Sequence, residues 1–138
     1  MAPQGEYDRA FADFTEAIRL DSTDVYSRAE LAWLHIKCPN YLDVKRGIEL
    51  ATKACELSGW KDGYCLRMLA IACAEAGDFE NAVKWQEKSL ELSPESEKKK
   101  WGFLLDLYRS GKPFPIENQE FRLGDNGLNT KSTCGLIV

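Results

Sequence analysis

The sequence predicts an all-α chain, an antiparallel stack of helical hairpins whose first unit is incomplete. Three observations carry that expectation. The stretch GEYDRAFADFTEAIRLDS at 5–22 realigns without a gap on GDFENAVKWQEKSLELSP at 77–94, and LDVKRGIELATKACELSG at 42–59 fits the same frame. Within the copies, apolar residues recur at helical intervals, as in Phe79, Ala82, Val83 and Leu90, with Glu80, Asn81, Lys84, Glu87 and Glu91 pointing elsewhere. Turn signals separate the helices: Gly77 can supply the left-handed residue that stops one helix, and Asp78 can cap the next.

Taken in order, 5–22 is half a repeat, with one helix and no helix before it. The segment 24–61 is a full hairpin lengthened by about three residues around Pro39 to Leu42, so its turn must bulge. The segment 62–95 is the most regular. Its first helix is apolar nearly all round, with Leu66, Leu69, Ala70 and Cys73 on one stripe and Met68, Ile71 and Ala72 filling most of the rest, the pattern of a helix packed on two sides. Trp101, Leu104, Leu105 and Tyr108 then share one face of an expected capping helix at 96–111. Residues 1–112 thus read as one repeat domain, followed by a non-helical tail at 113–138. For the end of that tail two origins stand side by side, the natural chain and a cloning remnant.

Composition narrows the function. The chain has 138 residues, 44% of them hydrophobic, enough for a single core without metal or disulfides. Its longest apolar run, Met68 to Ala74, is far short of the roughly 18 residues that cross a bilayer, and MAPQGEYDRAF is unlike an export signal. A net charge of −4 offers no general attraction to nucleic acid. The triplet Lys98, Lys99 and Lys100 lies beside Glu95 and Glu97 and reads as a solvated face. With one histidine, His35, and five irregularly spaced cysteines, neither a zinc site nor a Ser or Cys nucleophile with its imidazole is assembled. No cofactor and no catalysis are expected. Cys55, Cys65 and Cys73 read as small packed side chains in the reducing cytoplasm.

The best copy, from Gly63, has Leu66, Leu69, Ala70 and Cys73 in the first helix, Gly77 at the turn, Ala82 in the second helix and Pro94 after it. This resembles the tetratricopeptide repeat, whose unit of about 34 residues runs W-x2-L-G-x2-Y, then A-x3-F, then P. Leu31, Ala32 and His35 stand in the corresponding first-helix places of the middle copy, and Ala10 and Phe14 match A-x3-F in the first. Gln86 occupies the place of the phenylalanine, a departure from the pattern.

The resemblance implies a right-handed superhelical solenoid whose first helices line a concave groove that holds peptides. By position, the groove candidates are Tyr26, Glu30, Trp33 and Lys37, then Tyr64, Arg67, Met68, Ile71 and Glu75. For Trp33, Met68 and Ile71 the alternative is core between neighbouring helices. One branch of the family clamps chaperone C-termini with lysine, asparagine and arginine; Glu30, Tyr64 and Met68 stand in three of those places, which disfavours such a ligand.

The expected function is therefore a noncatalytic scaffold for a protein or peptide partner, acting without nucleic acid or membrane. The alternatives are an accessory region of a larger enzyme or signalling protein and, further off, an RNA-binding helical array. The absent first helix would leave Tyr7, Phe11, Phe14 and Ile18 short of one partner, so the patch is expected to be covered, either by a second copy of this chain in a homodimer or by the upstream part of a longer protein.

Overall fold

The structure is a computed structural model that describes residues 4–115. Among them there are seven α-helices and no strand: α1 (Gln4–Leu20), α2 (Val25–Lys37), α3 (Val44–Leu57), α4 (Gly63–Glu75), α5 (Phe79–Glu91), α6 (Glu95–Trp101) and α7 (Phe103–Arg109). The all-α expectation is borne out. Each of α1 to α4 packs against its successor, most extensively α4 against α5, while α5 also packs on α7 and α2 lies against α4.

Local chemistry sets where the helices begin. Four aspartates cap α2 to α5: Asp24 accepts from the Ser27 N–H at 3.0 Å, Asp43 from Arg46 at 3.0 Å, Asp62 from Tyr64 at 2.9 Å and Asp78 from Asn81 at 3.2 Å. Each carboxylate satisfies an amide that the helix leaves unbonded and sits at the positive end of its dipole. Gly77 closes α4 at φ 85°, a conformation that disfavours any side chain. The expected bulge after α2 is a short 3-10 turn, Pro39–Tyr41.

Packing follows from small residues at the crossings. A Cβ on Gly47 would lie 2.7 Å from Ile36 Cγ1 and 3.3 Å from the Ala32 carbonyl, so the absence of a side chain there lets α3 approach α2 closely. Ala29, Ala32, Ala51, Ala54, Ala70, Ala72 and Ala82 have no exposed surface. Helix α4 is the centre of the core, buried continuously from Cys65 to Ala74. Cys38, Cys55, Cys65 and Cys73 are buried free thiols; burial pushes Cys55 and Cys65 up to about 12 and Cys73 up to about 11. They therefore stay protonated and act as packing. Cys134 lies outside the described residues.

Three features go beyond the sequence reading or depart from it. The single capping helix is two, α6 and α7, parted at Gly102, and the carbonyl of Trp101 accepts the Gln86 side-chain amide at 3.1 Å. Gln86, fully buried in the phenylalanine place, thus binds backbone at the helix break, while Trp85 is half-buried and stacks on Trp60 at 5.1 Å. The apolar side of α1 is not left bare. Tyr7 is buried, Phe11 stacks on Tyr41 of the bulge at 4.4 Å with His35 against its edge, and Phe14 and Ile18 are half-buried. The Tyr41 hydroxyl also donates to Asp8. The extra residues of the middle hairpin thus supply an intramolecular partner for part of the apolar side of α1.

Candidate functional site

The face shared by α2 and α4 holds the predicted groove residues, and the structure divides them into two groups. At the start of the two helices, Tyr26, Glu30, Tyr64 and Arg67 line a cleft of about 640 Å³ together with Phe14, Asp62, Leu92, Ser93, Pro94 and Glu97. Asp62 holds two roles there: it caps α4 and accepts the Tyr26 hydroxyl at 2.5 Å. That bond pushes the Tyr26 phenol up to about 12, because ionisation would set two negative charges side by side. The Tyr64 hydroxyl donates to Glu30 across the same gap, and burial is the first cause raising its pKa. The two rings lie 5.8 Å apart, and Tyr26 is 56% exposed.

Arg67 forms the floor. Only 4% exposed, its guanidinium lies 4.3 Å over the Trp101 ring and 5.2 Å from that of Tyr64, and it pairs with Glu97 at 3.5 Å. Stacking and a single carboxylate replace the water it gives up, and desolvation lowers its pKa from the usual arginine value. The charged lining residues are thus Glu30, Asp62 and Glu97 against one guanidinium that is itself under the rings. The cleft can accept an apolar or aromatic group against Tyr26 and Phe14 and a cation or amide donors toward its carboxylates.

The second group lies toward the ends of α2 and α4. Lys37 Nζ donates to Glu75 at 2.5 Å and to the backbone carbonyl of Phe114 at 2.9 Å. The Phe114 ring meets Trp33 edge-on at 5.6 Å and lies 6.3 Å from Trp101. Trp33 is 8% exposed and Phe114 2%. Met68 and Ile71, placed in the groove by position, lie in the core. The reason is that α4 is covered on both sides, as its nearly continuous apolar surface allows.

Trp101, Phe114, Asp62 and Glu97 are among the residues that the sequence reading did not assign to the site, as are Leu92, Ser93 and Pro94 of the cleft wall. One signal was available for Trp101, since Trp33, Arg67 and Trp101 stand 34 residues apart, the repeat length, and so occupy the same place in successive units. No regularity marks Phe114. No helix is long and apolar enough to cross a membrane among the described residues, and no cluster there could hold a metal ion.

Residues 68–96 match the family model of the tetratricopeptide repeat. That segment joins the end of α4, the Gly77 turn and all of α5. No curated protein matches the chain. Repeats of this family serve generally in protein–protein binding.

Proposed function

We infer that this chain is a noncatalytic interaction module, with residues 1–112 as one repeat domain, and that the cleft between α2 and α4 takes a short segment of a protein partner bearing a basic side chain next to an apolar one. The cytoplasm is the compartment that the cysteine usage suits. What carries the reading is the cleft itself: ring faces from Tyr26, Tyr64 and Phe14 beside three carboxylates, in a hollow of about 640 Å³, a volume suited to a few side chains. Its polar groups are fixed before a ligand arrives. Tyr26 is held by Asp62 and Tyr64 by Glu30, so little side-chain freedom remains to be lost on binding.

Selection of peptides from a random display library on the whole chain tests this. Enriched sequences should pair Lys or Arg with an apolar neighbour, and Tyr26→Ala should weaken them about tenfold, as for a residue at the centre of an interface. Added salt should weaken them further, since part of the attraction is charge at a partly solvated site. Enrichment of acidic peptides, or binding indifferent to Tyr26→Ala and to Glu30→Gln, would exclude the cleft as the binding site.

A further inference from the structure

The contact between Phe114 and α2 is built like a bound peptide. The chain leaves α7 with Lys112 N–H bonded to the Leu107 carbonyl at 2.9 Å, and residues 112–115 form no regular structure. They return to α2, so the carbonyl of Phe114 reaches Lys37 across 77 positions of sequence. Phe114 is not itself part of a helix. It is held by an aromatic slot, Trp33 on one side and Trp101 on the other, and by a lysine that Glu75 fixes at 2.5 Å. Reading one backbone carbonyl and one ring is how a groove recognises an extended segment, because the carbonyl is common to all sequences and the ring supplies selectivity. Pro113 and Pro115 flank the ring, and each biases the residue before it toward extended backbone, so the segment binds with little ordering.

We propose that the Trp33–Lys37–Trp101 slot is a second recognition subsite, for an extended partner segment with phenylalanine flanked by proline, and that residues 112–115 of this chain occupy it until such a segment displaces them. The slot adjoins the cleft through Arg67, whose guanidinium lies over Trp101. A partner carrying a basic residue and a Phe-Pro pair in one stretch would engage both. Because the resident segment is tethered, it competes at a high effective concentration, so a separate peptide binds the unaltered chain weakly.

The test is fluorescence anisotropy with a labelled peptide, Lys-Pro-Phe-Pro-Ile-Glu, titrated with the whole chain and its variants. Phe114→Ala vacates the slot, and the peptide should then bind saturably, at least about tenfold tighter than to the unaltered chain; a peptide with alanine for phenylalanine should not bind. Circular dichroism establishes that the variant is folded. Phe114→Leu, which keeps an apolar side chain in place, decides the matter if the alanine variant unfolds, and should give an intermediate gain. A folded variant of either kind that binds the peptide no better than the unaltered chain overturns the proposal and makes Phe114 plain core. So does binding that survives loss of the peptide's phenylalanine. None of these variants alters Tyr26, Glu30, Asp62 or Glu97, so the result stands whichever way the cleft's own test falls.

Discussion

The beginning and the end of α2 face the same neighbour, α4, and carry the same kinds of side chain, yet they serve differently. At the beginning, Tyr26 and Glu30 meet Tyr64 and Asp62 around a cleft; at the end, Trp33 and Lys37 meet Glu75 and are closed over by Phe114. Aromatic and charged residues at one helical spacing therefore do not by themselves say which part of a repeat face receives a partner. What separates the two ends is the path of the chain after α7, which turns back over one of them.

The sharpest way to break this comparison is Trp101→Ala, because that ring touches both ends, under Arg67 on one side and against Phe114 on the other. Removal of a buried tryptophan should cost about 3–5 kcal/mol in urea unfolding. A loss well under about 1 kcal/mol would show that the two ends are not joined through this residue.

Alkaline pH distinguishes the ends by their phenols. Burial and Glu30 raise the pKa of Tyr64 above the ordinary 10.0. Above pH 10 the unfolded chain ionises this group first and so binds fewer protons than the folded one. Stability then falls as pH rises, by at most about 1.4 kcal/mol per pH unit for this group. Tyr64→Phe should make the decline in melting temperature above pH 10 shallower, and an unchanged slope would mean that the phenol is not held in its neutral form by the fold.

The smallest effect is expected at Tyr108. The hydroxyls of Tyr26 and Tyr64 each have a carboxylate, whereas that of Tyr108 is buried without a hydrogen-bond partner among the described residues. Tyr108→Phe removes an unpaired polar atom and keeps the ring. It should leave stability within about 0.5 kcal/mol of the starting value or raise it by about 1 kcal/mol. A larger loss would reveal a partner for the hydroxyl.

Much of this fold is legible in the residues. The copies beginning at 5, 42 and 77 give the helices α1, α3 and α5, Gly77 and Asp78 stand where the turn is, and Pro39 marks the bulge. Aspartate recurs before α2, α3, α4 and α5 alike, a start signal that could have been read at all four. Legibility ends where a side chain's partner is remote. Gln86 sits in a place that the repeat pattern gives to phenylalanine, and only the break between α6 and α7 explains it, since the amide binds the carbonyl of Trp101 there. Phe11 reads in the sequence as short of a partner within the chain, and the bulge that stacks Tyr41 on it is predictable as a bulge but not as a lid.

The sequence alone determined that the chain is helical, where most helices start and stop, and the apolar stripe each helix carries, because caps, turns and helical periodicity act over three or four residues. The tertiary structure alone decided which end of the α2 and α4 face is hollow and which is filled. That choice rests on contacts such as Lys37 to the Phe114 carbonyl, 77 positions apart, and no local spacing records where a chain will return.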